Sequence, residues 1–555
     1  MRASGVLLPV SSLSSKYGIG CFSKEAYQFI DFLKKNGQSF WQILPLGQTS
    51  YGDSPYQSFS TFAGNPYFIS LEKLIQKGLL RRRDCDACDF GSEPSDIDYG
   101  KMYRVRYRLL KKAFERFEAE TDADFRRFRI QESVWLSNYA FFMALKDNFN
   151  GKSWVEWPDD IRLRQPEALK EYQEKLKKSI RFYEYLQYEF FSQWEELKNY
   201  ANEQGIRIIG DIPIYVALDS ADAWAEPELF QFGQDRKPIA VAGCPPDAFS
   251  ATGQLWGNPL YDWHYHKQTK YEWWIRRVSA CYKMYDLIRI DHFRGFDEYY
   301  AIPAGDETAE YGVWKKGPGM GLFEALKDAL GDLNIIVEDL GLITDTVREM
   351  VRASGFPNMK VLEFAFDARD SSGTNDYLPY NYDKNCVVYT GTHDNETLYG
   401  WLGTIPKADY GLIEKYIGRK IADPSEMVVE IIRLAQSSAA KICIVPMQDY
   451  LILDNHARIN EPSTLGKNWR WRLLPDQLTT QAGLLMKSMT KTYGRMPVPS
   501  ARLEEKSGKK AERKSDQKSD QKPDQKPDQK SNKTLDEKTD KVQSPVKKSD
   551  VKKKQ

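Results

Sequence analysis

DLIRIDHFR, residues 286–294, is the stretch whose reading decides the fold. Leu287, Ile288 and Ile290 are apolar and read as a short strand that runs into charge. Arg289 and Asp291 are two residues apart, so on a strand their side chains leave the same face. His292 and Arg294 follow where the strand should end. A buried strand tip carrying a carboxylate, an imidazole and two guanidinium groups is costly to desolvate unless the charges pair or do chemistry. A structural ion pair between Asp291 and an arginine explains the stretch equally well when it is taken alone.

Working outward, short apolar runs recur at 5–10, 40–46, 206–216, 284–291, 334–340, 359–364, 387–392 and 442–447, separated mostly by helical or loop stretches. This alternation predicts a parallel sheet wound with helices. Eight runs fit an α/β fold of the (β/α)₈ TIM-barrel type, although a doubly wound open sheet would show the same alternation. Between the second and third runs, residues 47–204 carry helical patterns at 103–117, 133–148 and 166–202, which predict an inserted helical subdomain. Insertions after barrel strands lie on the carboxyl face, where active sites are built. Residues 49–66 (TSYGDSPYQSFSTFAGNP) and 241–261 (VAGCPPDAFSATGQLWGNPLY) read as long aromatic-bearing loops, the second of lid type. It holds Asp247, Phe249, Trp256 and Asn258.

The strand ends carry the chemistry. The third run delivers Asp211, the fourth Asp291, the fifth Glu338 and Asp339, and the seventh His393 and Asp394. One carboxylate is readily explained by packing or capping, whereas four runs delivering them to one end of a barrel point to function. A metal site would use the same residue types, but no HxH or HExxH spacing occurs at these ends and arginines flank Asp291. Glycosidic bond exchange fits better. It needs a carboxylate nucleophile and a protonated carboxyl about 5–5.5 Å apart in retaining enzymes. Arg289 would hold the nucleophile ionised, and a less polar setting would keep the acid protonated.

Composition bounds the alternatives. The 14 Trp and 32 Tyr add weak support for a partner such as sugar, whose flat CH faces suit exposed rings. Residues 501–555 carry a net charge of +7 and the rest −6, so the folded part gives no reason to expect nucleic acid. No apolar stretch is long enough for a secretory signal or a membrane span, and the seven thinly spread cysteines suit a reducing compartment, so the expected location is cytoplasmic. Cys85 and Cys88 form a lone CxxC, read as two reduced cysteines in a loop, and neither a metal nor another cofactor is expected.

GVLLPVSSL, WQILPLG, DSPYQSFSTFAGNP, GDIPIYVA, PPDAFSATGQLWGNPLY, RIDHFRG, VEDLG, GTHDNET and NWRWRL occur in this order over residues up to about 493. Together they resemble the amylomaltase family, the bacterial 4-α-glucanotransferases related to plant disproportionating enzyme. The resemblance implies a catalytic barrel over 1–498 and a retaining double displacement on α-1,4-glucans. Asp291 would be the nucleophile, Glu338 the general acid/base, and Asp394 the third carboxylate that grips sugar hydroxyls. Tyr56 would stack on the donor glucose. Arg289 and His393 would contact sugar or nucleophile, Asp247 and Trp256 would belong to a loop over the cleft, and Asn460 would lie near the sugar. Asp211, Asn258 and His292 complete the expected binding set. Ala248 stands where some relatives carry tyrosine, and Tyr51 with Tyr99 could form a secondary glucan groove. An α-glucan hydrolase and a non-catalytic glucan-binding protein are the rival readings. Residues 499–555, with the repeat KSDQKSDQKPDQKPDQK, lie outside the resemblance and are expected to be disordered. The sequence leaves the oligomeric state open.

Overall fold

In a computed structural model, residues 2–497 are described apart from 50, 51, 247–249, 342 and 371. Eight parallel strands close into a barrel: β1 (Ala3–Leu7), β2 (Phe40–Gln42), β3 (Arg207–Ile212), β6 (Leu287–Ile290), β9 (Ile335–Val337), β10 (Asn358–Val361), β11 (Cys386–Tyr389) and β12 (Ile442–Pro446). Around the ring each strand pairs with the next barrel strand in sequence, and β12 closes on β1 with Gly5 opposite Ile444. Every apolar run anticipated from sequence supplies one barrel strand, shorter than its run because the carboxyl-terminal residues turn outward into loops. The strands are apolar and buried on both sides, as parallel strands wrapped by helices must be. Closure settles the choice between barrel and open sheet.

The β2–β3 connection is helical. The helices Tyr99–Phe114 and Ser133–Asn148 agree closely with the sequence patterns, the first capped by Asp98, whose side chain accepts from Lys101 N at 2.9 Å. The pattern at 166–202 resolves into two helices, Pro166–Lys175 and Lys177–Glu203, because the chain leaves helical geometry at the buried Leu176. The second buries Phe182, Leu186, Phe190, Trp194, Leu197 and Ala201 along one face and packs on Ser133–Asn148 and Lys24–Lys35. It also fixes the 49–66 loop. Gln187 accepts from Gly64 N at 2.7 Å and donates to Gly64 O at 2.9 Å, and Gln193 accepts from Ser70 N at 2.8 Å.

Residues 241–261, expected as a lid-type loop, enter and leave through strands at 241–244 and 254–259. β4 (Ala240–Cys244) and β5 (Gln254–Pro259) form an antiparallel pair that continues through β7 (Glu298–Pro303) to β8 (Val313–Lys316), in the order β5-β4-β7-β8. The correction has a steric origin. A Cβ on Gly243 would lie 2.3 Å from Gln254 O, so the small residues that look like loop chemistry let the strands approach. Asp247, Ala248 and Phe249 lie outside the described residues, as do Tyr51 and the lysine-rich repeat. Arg294 places its guanidinium 3.9 Å from the centre of the Trp314 ring, tying the sheet to the turn after β6.

Among the described residues no two cysteines form a disulfide. Cys85 is not in a loop but buried in the short helix Arg82–Asp86, and Cys88 lies just beyond it with its thiol on Asp84 O at 3.1 Å. Among the described residues no helix is long and apolar enough to cross a membrane.

Gly210 on β3 tests the packing beneath the site. A Cβ there would lie 2.2 Å from the Tyr285 ring, too close for either buried group to accommodate without backbone movement. Gly210→Ala is expected to destabilise the protein by about 1–3 kcal/mol. A lower urea unfolding midpoint with unchanged slope would show it.

Candidate active site

The carboxyl ends of β3, β6, β9 and β11 meet around one buried cation, Arg289, whose side chain is 2% exposed. Its position on β6 sends the side chain into the barrel, and the register Asp211↔Arg289 sets it beside Asp211 on β3. Nη1 donates to both oxygens of Asp211, at 2.7 and 2.6 Å, and lies 3.4 Å from Asp291 Oδ1. Nη2 pairs with Glu338 Oε2 at 2.9 Å. Asp291 and Glu338 flank the same guanidinium closely enough for each to influence the ionisation of the other. Both follow directly on their strands, and the backbones interlock there: Asp291 N donates to Ile212 O, Glu338 N to Ile290 O and Phe293 N to Glu338 O. His292 adopts the left-handed conformation (φ 50°), which turns its N–H onto Glu338 Oε2 at 2.8 Å.

A second chain of contacts leaves Asp211. The Tyr56 hydroxyl donates to Asp211 Oδ2 at 2.9 Å and lies 2.9 Å from His393 Nε2. The same nitrogen is 3.3 Å from Asp394 Oδ2. Because the Tyr56 proton is committed to Asp211, the network assigns the proton on Nε2 to His393, shared between phenol and carboxylate. Asn460 completes the line, with Nδ2 donating to Asp394 Oδ1 at 2.6 Å and N donating to His393 O at 3.1 Å. The Tyr56 and His393 rings stack at 5.2 Å. Asp394 remains 42% exposed, Asp291 28% and Glu338 19%, so all three can be reached from the cleft.

Asp211 and Asn258, expected among the binding residues, are both buried. The Asp211 side chain is fully buried beneath the cleft, as the counter-charge of Arg289. Asn258 is buried on β5, where it donates to Val216 O at 2.7 Å and accepts from Gln57 at 3.1 Å, joining the sheet to two loops. Trp256, also on β5, meets the His292 ring edge-on at 4.9 Å. Asp339 faces away from the site and clamps β10, accepting from Asn358 Nδ2 at 2.7 Å and Met359 N at 3.1 Å. Two groups were missed in the sequence. Trp469, left-handed at φ 65°, packs within 5.8 Å of Tyr56 and 6.0 Å of His393, and Arg458 donates to Asp394 O at 2.8 Å. The NWRWRL motif was the available signal for Trp469.

The electrostatics couple Asp291 and Glu338. Burial and then the neighbouring Glu338 charge raise Asp291 well above the usual carboxylate range, and Arg289 offsets them only in part. Burial also opposes ionisation of Glu338, but Arg289, the neighbouring Asp291 and the His292 N–H outweigh it and hold Glu338 below its ordinary value. The geometry gives the reason, since Arg289 is nearer Glu338 than Asp291. The two acids therefore titrate as a coupled pair. Burial likewise opposes Asp394, yet His393 and Asn460 bring it well below the carboxylate range. Burial pushes His292 down to about 4, leaving a neutral imidazole. Among the described residues no three His, Cys, Asp or Glu side chains are disposed to share a metal ion, and Arg289 fills the space between Asp211, Asp291 and Glu338 where a cation would sit.

This arrangement can ionise a nucleophile, deliver a proton and grip hydroxyls around one reacting centre. Comparison with known proteins agrees with it. The family model described as 4-alpha-glucanotransferase matches residues 8–478. A 4-alpha-glucanotransferase of Clostridium butyricum is 49% identical over 488 residues, covering 88% of this chain and 99% of the relative. The chloroplastic/amyloplastic 4-alpha-glucanotransferase of Solanum tuberosum is 39% identical over 89% of this chain and 87% of its own length. An amylomaltase from Streptococcus agalactiae, solved in complex with acarbose, superposes with a TM-score of 0.87 at 42% identity, over 90% of this chain and all of that one. With the family signature spanning the barrel and the inserted helices alike, the chain belongs to the 4-alpha-glucanotransferases.

Proposed function

We infer that the protein moves a segment of an α-1,4-glucan onto the 4-hydroxyl of an acceptor glucose or glucan, with Asp291, Glu338 and Asp394 as its working carboxyls. The observation that carries the residue assignment is their convergence around Arg289 from three separate strands, each reachable from the cleft.

In the first half-reaction an Asp291 oxygen attacks the anomeric carbon while Glu338 gives its proton to the departing glycosidic oxygen. A glucosyl ester forms on Asp291 with inversion, and the released chain leaves with a new 4-hydroxyl. In the second, Glu338 takes the proton from the 4-hydroxyl of the acceptor, whose oxygen displaces Asp291 with a second inversion. Configuration is retained and no water is consumed. Because the two acids titrate as a pair, the first step proceeds from the form with Asp291 ionised and Glu338 protonated. Arg289 stands within reach of both carboxyls, so it compensates the charge on whichever is ionised. Asp394, ionised and anchored by His393 and Asn460, is suited to gripping sugar hydroxyls and favouring the distorted, oxocarbenium-like transition state. Tyr56, beside His393, and Trp256, beside His292, supply ring surface.

Water is the competing acceptor, so transfer requires an acceptor site that binds sugar well and keeps water out. Incubation with maltotriose, followed by chromatography, should give glucose together with a ladder of longer maltooligosaccharides. Shorter sugars alone, with one new reducing end per cleavage, would identify a hydrolase. Asp291→Asn should abolish transfer and hydrolysis with the fold intact, and Glu338→Gln should lower kcat by about 10²–10⁴-fold. Wild-type turnover in either variant would remove its assigned role.

The shared proton also sets the pH dependence. Activity requires the singly protonated pair, so kcat/KM is expected to be bell-shaped. Its acid limb should lie below the ordinary glutamate range, because Glu338 is depressed. Its alkaline limb should lie well above the carboxylate range, because Asp291 is raised. A single titration near the ordinary carboxylate range would contradict the coupling.

A further inference from the structure

Glu363 is buried, carries charge chemistry and takes no part in the steps above. It lies in the single turn Leu362–Phe364 after β10, with the residue only 9% exposed. Its Oε2 accepts from Asn395 Nδ2 at 3.0 Å. Asn395 Oδ1 in turn accepts from both Thr392 N and Thr392 Oγ1 at 2.9 Å, and Asp394 N donates to Thr392 Oγ1 at 3.3 Å. The turn 392–395 is therefore closed by Asn395, and His393 and Asp394 are its two central residues. Glu363 is also pressed against the backbone of that turn, since a Cβ on Gly391 would lie 2.6 Å from Glu363 Oε1.

We propose that Glu363 is a positioning residue for glucan transfer: by holding Asn395 it sets the 392–395 turn, and so the placement of Asp394 and His393 against the sugar. The inference rests on the reading of Asp394 as a substrate-gripping carboxylate.

The surroundings favour an uncharged carboxyl in this role. Glu363 Oε1 is buried without a hydrogen-bond partner among the described residues. Asp449, past β12, and Glu396 face it with like charge, and Arg458 is the facing cation. Burial, reinforced by Asp449, raises Glu363 well above the carboxylate range. As the neutral acid it keeps a carbonyl oxygen for Asn395 and places the hydroxyl at Oε1. Asp449 supports the same segment from the other side, accepting from Thr390 Oγ1 at 2.6 Å and Leu398 N at 2.9 Å. Glu363 and Asp449 thus brace the strand end that delivers Asp394 without touching the cleft chemistry.

The test compares variants of the full-length protein in maltotriose disproportionation, with kcat and KM measured separately. Glu363→Ala should lower kcat by about 10- to 100-fold, the scale set by a misplaced reacting group, with a smaller change in KM. Glu363→Gln, isosteric with the neutral acid, should recover activity to within about threefold of wild type, because it retains an acceptor for Asn395. In an Asn395→Ala background, Glu363→Ala should cost little more, since both substitutions break one linkage. Should Glu363→Ala fail to fold, Glu363→Met fills the volume without that acceptor and carries the same expectations. Wild-type kcat in the Ala or Met variant, a Gln variant as slow as Ala, or losses that multiply with Asn395→Ala would each overturn the proposal. Asp394→Asn, measured alongside, separates the two levels: full activity in that variant would remove the role of Asp394 itself, whatever Glu363 does.

Discussion

A guanidinium group with almost no access to water must be compensated where it stands, and the top of this barrel is arranged around that requirement. Arg289 has three carboxyl neighbours drawn from β3, β6 and β9. Asp211 alone would neutralise it, and does so with both oxygens. The additional partners leave the cluster short of positive charge, so Asp291 and Glu338 cannot both be ionised cheaply and keep a proton between them. A structural ion pair and a catalytic device are thus the same set of atoms. The two explanations of the 286–294 stretch, posed as rivals in the sequence, meet at Arg289, which pairs with Asp291 at 3.4 Å as well as with Asp211.

The compensation also extends sideways. From Arg289 a continuous line of contacts passes through Asp211, Tyr56, His393 and Asp394 to Asn460. These groups come from the strand end of β3, the 49–66 loop, the turn after β11 and the segment after β12. The long helix Lys177–Glu203 contributes from a distance by pinning Gly64 and with it the loop that carries Tyr56. Part of what the inserted helices do is therefore to hold one phenol in line with a carboxylate and an imidazole.

Much of this was legible in the residues because barrel strands are short, apolar and followed by their functional side chains. Each run that ended in Asp211, Asp291, Glu338 or Asp394 proved to be a barrel strand, since burial on both faces leaves an unbroken apolar signal. The four-stranded sheet was not legible. AVAGC and QLWGNP carry the small and turn-forming residues of a loop, and their strand character depends on close approach between Gly243 and Gln254 O, which no local pattern announces. The coupling of the acid pair was not legible either. The sequence places Arg289 two residues from Asp291, but only the geometry reveals that the nearer oxygen belongs to Glu338. Asp211 and Asn258 share this lesson, for residue type marks a polar group as important without telling whether it faces sugar or another side chain.

The four-stranded sheet is drawn from two different connections. The hairpin of β4 and β5 belongs to the segment between β3 and β6, the hairpin of β7 and β8 to the segment between β6 and β9, and they join through β4 against β7. β6 itself is therefore straddled by one object whose halves arrive before and after it along the chain. Such an object is not a detachable cassette: removing either hairpin exposes the central edge of the other, and neither half is complete until the Asp291 strand has been laid between them. Any shortening or grafting of this cover must respect both crossings, which makes the nucleophile-bearing strand and its roof a single unit of inheritance and of design.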